Sequence, residues 1–375
     1  MPALSSVSEA LPQVGALIST PTMVWATLFF FGVTTWMIVV VFFVKWQQQV
    51  SLRRDQQLIG VWEECFFAAI TGDEILVLPP VKSFDRRHVL KIWCHIGNNV
   101  AGDALDRLSR LGLRLGIDQI ALAILVPGGL RLANPSSVDV LLALRAAERM
   151  QIKAAWEPLK RIVRVGPAPL DRFAARALVA IDATAAAPEI LPALIRQGRW
   201  ASHLVEDLME VGVADAVEDY AALLDQVSDE AVPGLALLLN RCNNPNTLPA
   251  IRRRLAVEQH RDPDALAALL NTLSLVGGQS ERKLVNSFIG HQEWFVRMRA
   301  AQAMGRCGDL RDAGVLESLI SDRNWYTRYH AARSMLAIGE LGQTYLEDFA
   351  QRTRDPFAHD MALHVLGEAE APALR

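Results

Sequence analysis

The sequence predicts an all-α protein in which a single N-terminal transmembrane helix precedes a cytosolic α-solenoid of helix pairs. Two observations lead to this prediction. Residues 23–44 contain no charged side chain, and from Pro263 onward one unit recurs at a fixed interval, the distance from Trp294 to Trp325. A fixed period of about 20–50 residues indicates a repeat architecture.

The repeat is clearest in the segments that begin at Trp294 and Trp325, where arginines and paired alanines recur at the same places. Positions that match at this interval are Pro263, Trp294, Trp325 and Pro356; Gly277, Gly308 and Gly339; Arg297 and Arg328; and Ala300, Ala331 and Ala362. Each unit predicts a helix of small residues followed by a second apolar helix. Two such helices cannot bury their apolar faces alone, whereas stacked pairs can.

In these units a glycine comes just after the last periodic residue of the first helix. A helix commonly ends there with a residue in the left-handed region, which glycine adopts without strain. We therefore expect Gly308 and Gly339 to have positive φ angles. Weaker copies of the unit are expected to begin near Leu170, Ala201 and Val232. Before them, Ser136 or Ser137 is expected to cap a helix over 138–155.

These residues resemble HEAT repeats, particularly the short bacterial HEAT-like form found in phycobilisome (PBS) lyases. The opening positions of the units are Asp262-Pro263, Asn324-Trp325 and Asp355-Pro356. The resemblance covers residues 262–367 and implies a right-handed superhelix. It also implies a ladder in which each arginine pairs with an aspartate of the adjacent repeat. Because Glu293 occupies one aspartate position and His359 one arginine position, we expect an incomplete ladder.

Composition narrows the class of function. The chain has 375 residues, 51% of them apolar, and a net charge of −3, which does not favour a nucleic-acid binder. Its four cysteines are scattered without a C-x-x-C motif, so we expect reduced thiols rather than disulfides or a zinc site. We found no nucleophile elbow, phosphate-binding loop or H-E-x-x-H motif. We therefore predict no enzymatic activity, no cofactor and no metal.

Residues 23–44 would span about 33 Å as a helix, enough to cross a bilayer core of about 30 Å. Trp25 and Trp46 flank the run, as interfacial anchors do, and Gly32 could pack against a partner helix. A signal peptide or a buried core helix is the alternative, but a basic leading region and a small-residue cleavage site are missing. Lys45 follows the run and no basic residue precedes it. This asymmetry predicts an inner-membrane protein with its N-terminus outside and its solenoid in the cytosol.

The predicted organisation has five parts. They are a short extracytoplasmic tail (1–22), the transmembrane helix (23–44), a juxtamembrane stalk (45–60), a divergent helical cap (61–133) and the HEAT-like repeats (134–375).

The last repeats carry aromatic and basic residues in register, and interface hot spots are enriched in tryptophan, tyrosine and arginine. The candidate partner-binding residues are Arg299, Tyr326, Tyr329, His330, Arg333 and His364. The residues interpreted as a ladder between repeats are Trp294, Arg297, Trp325 and Arg328.

The architecture as a whole resembles bacterial membrane-anchored HEAT-repeat proteins. That resemblance implies a scaffold for a protein partner at the membrane, either a glycosyltransferase of an exopolysaccharide system or an associated signalling protein. The alternative is a HEAT-like lyase or maturation factor acting on a tetrapyrrole or a modified protein. A lyase predicts a closed apolar pocket with a reactive cysteine or histidine, whereas a scaffold predicts an open groove with exposed tyrosine and arginine. The sequence leaves the oligomeric state open.

Overall fold

The computed structural model describes residues 20–72, 78–82, 85–126, 135–197, 201–257 and 262–370. These residues are helical and contain no strand, which confirms the predicted all-α class. The chain divides into two compact units, residues 1–96 and residues 97–375. Residues 1–19 of the expected tail lie outside the described part of the chain, and the predicted domain boundaries stay a prediction.

The first unit contains α1 (Thr20–Thr71) and most of α2 (Arg86–Gly97). Within α1, the stretch Thr27–Gln47 has a mean hydropathy of 2.3 and none of it is buried. It is long and apolar enough to cross a membrane or to serve as a signal sequence. The helix continues without a break through residues 45–60.

Side chains along the apolar stretch of α1 are exposed and are not covered by other described parts of the chain. Trp25 and Trp46 are exposed near its two ends, and no atom lies within 4 Å of the position that a Cβ on Gly32 would take. The hydroxyl of Thr34 donates to the carbonyl of Phe30 one turn earlier, at 2.7 Å. This hydrogen bond lets the threonine sit in an apolar setting without an external partner.

The second unit begins with four helices ahead of the regular repeats. They are α3 (Asp103–Arg114), α4 (Ile117–Leu125), α5 (Ser137–Arg149) and α6 (Trp156–Val165). Ser136 caps α5 as expected, because its hydroxyl accepts from the amide of Asp139 while the Asp139 carboxylate accepts from the amide of Ser136. The prediction of a helix over 138–155 is wrong at the C-terminal end. It stops at Arg149 because Gln151 has a φ of 49°, which an α-helix cannot continue through.

Seven helix starts then follow at the predicted interval, which confirms the repeats expected near Leu170, Ala201 and Val232. The first helices of the units are α7 (Leu170–Ile181), α9 (Ser202–Glu210), α11 (Val232–Cys242), α13 (Pro263–Val276), α15 (Trp294–Cys307), α17 (Trp325–Ala337) and α19 (Pro356–Glu370). The second helices are α8 (Ala183–Gln197), α10 (Val217–Ala222), α12 (Leu248–Ala256), α14 (Arg282–Asn286), α16 (Ala313–Ile320) and α18 (Glu340–Arg352). Each first helix packs against the first helix of the next unit, which is the arrangement of an α-solenoid.

Small residues set the spacing between these first helices. Ala300 in α15 and Ala331 in α17 are fully buried. At Gly305 the approach is closer still, since a Cβ there would lie 2.8 Å from the hydroxyl oxygen of Ser334. The helices therefore meet at a distance that only the smallest side chains permit.

The expectation for the glycines is correct at one position and wrong at another. Gly339 has a φ of 101°, in the region that favours glycine. Gly308 has a φ of −84°, so it is not left-handed. Glycine is needed there for a different reason, because a Cβ would lie 2.6 Å from the carbonyl oxygen of Met304.

A buried ion pair joins the last two complete repeats. Arg297 is 7% exposed and donates from Nε and Nη2 to the two carboxylate oxygens of Asp322, at 2.7 and 2.9 Å. Its Nη1 donates to the carbonyl oxygens of His291 and Gln292, both at 2.7 Å. One guanidinium thereby fixes two successive inter-repeat turns. The side chain of Glu293, which occupies the expected aspartate position, does not cap α15.

The ionisation of Asp322 follows from the same contacts. Burial by itself would raise the pKa of this carboxyl, but hydrogen bonds from Arg297 and from the amide of Asn324 outweigh burial and lower it. Asp322 is therefore ionised at neutral pH, and the pair is a charged one.

A second set of ion pairs links the second helices. Arg252 pairs with Glu281, and Arg282 pairs with Asp312 at 2.6 Å. Both acceptors also accept the backbone amide three residues earlier, at 3.0 Å. Each acid therefore caps its own helix and binds the arginine of the preceding repeat.

Replacing Asp322 with alanine should lower the free energy of unfolding by about 3–5 kcal/mol, because it leaves the Arg297 guanidinium buried without a counter-charge. Urea unfolding of the full-length protein, followed by circular dichroism, measures this loss. Glu293→Ala is the matched control and should change stability by about 0.5 kcal/mol or less. Equal losses in the two variants would contradict the assignment of the pair.

Gly305→Ala and Gly314→Ala should shift stability in opposite directions. A methyl group at Gly305 forces α15 and α17 apart and should cost about 1–3 kcal/mol. No atom lies within 4 Å of a Cβ at Gly314, so alanine there should stabilise α16 by about 0.5 kcal/mol through its helix propensity. Thermal unfolding of both variants tests the packing, and stabilisation by the Gly305 substitution would show that the first helices are not this close.

Candidate functional site

An aromatic surface covers the N-terminal ends of three consecutive first helices. We define it as Trp294 of α15; Trp325, Tyr326 and Tyr329 of α17; and Phe357 of α19. The rings of Trp294 and Tyr326 stack at 5.6 Å between repeats, and those of Trp325 and Tyr329 stack at 5.2 Å within α17. Trp325 is 46% exposed, Tyr326 54% and Phe357 67%. The rings are thus held by one another while much of their area faces solvent.

An aromatic cleft of about 330 Å³ opens at this surface between α17 and α19. It is lined by Trp325, Arg328, Phe357, Asp360, Met361 and His364. The guanidinium of Arg328 lies over the Phe357 ring, 5.5 Å from its centroid, a cation–π contact. The cleft therefore combines apolar walls with one cation and one carboxylate.

A polar network runs beside the aromatic surface across α13, α15 and α17. Arg299 donates to Asn271 Oδ1 and to Gln302 Oε1, both at 2.7 Å. The Gln302 amide nitrogen lies 2.9 Å from His330 Nδ1. Because the Gln302 oxygen accepts from Arg299, its amide group donates to His330, which then carries its proton on Nε2. Burial lowers the pKa of Arg299.

Two of the predicted partner-binding residues, Arg299 and His330, therefore lie in a half-buried internal network. Burial, together with the charges of Arg299 and Arg333, lowers the pKa of His330 below its usual value. The neutral imidazole is thus the form that fits the network. Asn271 and Gln302 were not predicted, although they fall one repeat length apart, at the same position of successive units.

Tyr326 belongs to the aromatic surface, and the other three predicted residues, Tyr329, Arg333 and His364, form a polar cluster where α17 meets α19. The Tyr329 hydroxyl donates to Glu368 Oε2 at 3.0 Å, and the Arg333 guanidinium lies 5.8 Å from the Tyr329 ring centroid. His364 Nε2 lies 3.3 Å from Glu368 Oε1. Arg333 and His364 are exposed, so they remain available to a partner. Glu368, which joins the cluster, was not singled out from the sequence.

A larger cleft of about 500 Å³ lies along α11 and α13 and ends at Arg299. Polar side chains in its lining include Asn240, Asp264 and Asn271. Asn271 and Arg299 of the polar network therefore also line this cleft.

None of the four cysteines lines either of these clefts. Cys94 and Cys307 are buried, while Cys65 and Cys242 are partly buried. Burial raises the pKa of the Cys65 and Cys242 thiols and raises that of Cys307 to about 12. A raised pKa reduces the fraction of reactive thiolate. Within the described part of the chain, no group of histidine, cysteine and acidic residues could hold a metal ion.

Comparison with known proteins identifies the repeats. The sequence pattern of the family described as HEAT repeats matches residues 253–336. One similar solved structure is an engineered protein, 15% identical, with 77% of this chain and 86% of that chain covered and a TM-score of 0.34. Another is a designed armadillo repeat protein, 14% identical, with 67% and 98% covered and a TM-score of 0.21. No curated protein matches. Residues 253–336 therefore resemble HEAT repeats, within a chain whose described residues form an α-solenoid.

Lowering the pH from about 7 to about 5 should destabilise the wild-type protein more than His330→Gln. The folded state holds His330 neutral, so the unfolded state binds more protons as the pH falls through the usual histidine range. The stabilisation is present above the unfolded-state pKa and is lost as the pH falls through the lowered one. Urea unfolding of both proteins at the two pH values measures the difference, and parallel losses would contradict a neutral His330.

Proposed function

We propose that this HEAT-like repeat protein is a non-enzymatic, membrane-anchored scaffold that binds a partner protein through the first helices of its last three repeats. The observation that carries the proposal is the aromatic surface, where large rings remain exposed in three consecutive repeats. Buried aromatic and arginine side chains dominate the energy of protein interfaces. Repeat proteins also bind partners through surfaces that run across several units.

The way the rings are held supports binding. Stacking of Trp294 on Tyr326 and of Trp325 on Tyr329 restricts side chains that would otherwise rotate freely. Immobilising a mobile side chain at an interface costs about 0.5–1.5 kcal/mol. Side chains that are already ordered avoid much of this cost, so the surface is prepared for a partner.

The described contacts suggest two roles for the candidate residues. Tyr326, Arg333 and His364 are exposed, and we assign them to direct contact with the partner, together with Tyr329. Arg299 and His330 lie in the half-buried polar network. We propose that they hold the neighbouring aromatic surface in place and do not contact the partner directly.

The apolar stretch of α1 suggests that the partner is associated with a membrane. An anchor confines the solenoid to two dimensions and raises its effective concentration near such a partner. Lys45 and the basic residues after it favour a cytosolic solenoid and an outside N-terminus in an inner membrane. The resemblance described above points to a glycosyltransferase of an exopolysaccharide system, or an associated signalling protein, as the partner.

A HEAT-like lyase or maturation factor is the second candidate, and the site chemistry favours it less. Such an enzyme needs a reactive cysteine or histidine in an apolar pocket. Burial raises the thiol pKa of Cys65, Cys242 and Cys307, and His330 is held in the polar network. The clefts described above are lined by polar and charged side chains as well as apolar ones, which suits a protein-binding surface.

Affinity purification of the full-length protein from mild-detergent membranes tests the scaffold. We expect a membrane protein to co-purify with the wild type and to be reduced at least about tenfold with the Tyr326→Ala, Phe357→Ala double variant, since two exposed anchors are lost. Leu341→Ala on α18 is the matched control, because Leu341 is 66% exposed and Phe357 67%.

Three other outcomes of this purification would redirect the proposal. Retention of the partner by the double variant contradicts binding through the aromatic surface. Loss of the partner when residues 23–44 are replaced by an unrelated span would assign recognition to the anchor. A small molecule bound to the purified chain, with no protein partner, would favour the lyase.

A further inference from the structure

Arg328 is positioned like Arg297 but lacks its carboxylate. Arg297 Nη1 donates to carbonyl oxygens six and five residues earlier, those of His291 and Gln292. Arg328 Nη1 donates to the carbonyl oxygens at the same two offsets, those of Asp322 and Arg323, at 2.9 and 3.4 Å. The backbone thus presents both guanidinium groups in the same way.

The missing acceptor can be assigned to one position. Asp322, which binds Arg297, lies one repeat length before Thr353. Thr353 keeps one function of that aspartate, because its hydroxyl accepts from the amide of Asp355 at 3.3 Å, as Asp322 Oδ1 accepts from the amide of Asn324 at 2.8 Å. A threonine cannot supply the negative charge. Among the described residues, the buried Nε of Arg328 has no hydrogen-bond partner, and such groups are rare in native structures.

The Arg328 guanidinium, which has no carboxylate partner, lines the aromatic cleft. Trp325 and Phe357 line the same cleft, and the exposed Phe357 ring lies against the guanidinium. Asp360 also lines the cleft, and its charge disfavours a doubly charged phosphate more than a single carboxylate. The His364 side chain is already beside Glu368.

We infer that Arg328 binds the carboxylate of an aspartate or glutamate side chain of the partner protein, which completes the ladder that this chain leaves open. An aromatic or apolar side chain next to that acid would fill the space between Trp325 and Phe357. The inference rests on the proposed scaffold function and names the chemistry that its partner must present.

Thr353→Asp provides the test, because it supplies the missing carboxylate from within the chain. The probe is a fluorescently labelled short peptide with one glutamate flanked by tryptophans, and binding to the full-length protein in detergent is followed by anisotropy. We expect the wild type and Thr353→Asn to bind the peptide, and Thr353→Asp and Arg328→Met to bind it at least about tenfold more weakly. The same peptide with glutamine in place of glutamate should bind the wild type as weakly.

Thermal unfolding of each variant accompanies these titrations, and Thr353→Asp should unfold at the wild-type temperature or above. Equal binding of the glutamate and glutamine peptides, full binding by Thr353→Asp, or no binding of the glutamate peptide at millimolar concentration would each overturn the inference. Competition by inorganic phosphate but not by acetate would overturn the choice of a carboxylate. If the peptide fails while partner capture still depends on Tyr326 and Phe357, the scaffold stands and only this inference fails. If both fail, the proposed function falls as well.

Discussion

The close packing of successive first helices is the constraint on which the repeat unit depends. Ala300 and Ala331 are buried between neighbours, and Gly305 meets Ser334 without room for a methyl group. Because these units have the same length, this packing brings equivalent residues of neighbouring helices side by side. Residues at equivalent positions of successive units thus come into contact, as Asn271 and Gln302 do through Arg299 in the polar network.

The charged residues of the last repeats have two roles, one in stability and one in binding. Arg297 is buried and pairs with the partly buried Asp322. The pair fixes the turns between repeats, so its removal should be costly. Arg333 and His364 are exposed, and exposed charges contribute little to stability. Arg328 stands between the two groups, since it is held by carbonyl oxygens like Arg297 but faces the aromatic cleft. A structural ladder that loses one acid can in this way become a binding site.

The sequence predicted the repeat starts well, because proline, tryptophan and glycine mark the turns at a fixed interval. Contacts that depend on the neighbouring unit could not be predicted from the sequence. The resemblance implied that each arginine pairs with an aspartate of the adjacent repeat, and the turn before α17 brings Asp322 to Arg297. Arg299 and Arg333 were both predicted to contact a partner, but hydrogen bonds to Asn271 and Gln302 hold Arg299 in an internal network. Spacing gives the position of a side chain, whereas its partner depends on how closely the helices approach.

Photo-crosslinking in intact membranes tests the central claim most directly. A photoreactive phenylalanine analogue placed at position 357, on the aromatic surface, is compared with one at position 341 on α18, which is equally exposed. The scaffold account predicts a discrete crosslink to a membrane-associated protein from position 357 and none from position 341. Equal crosslinking from both positions, or a crosslink from position 341 alone, would contradict binding through the first helices of the last repeats.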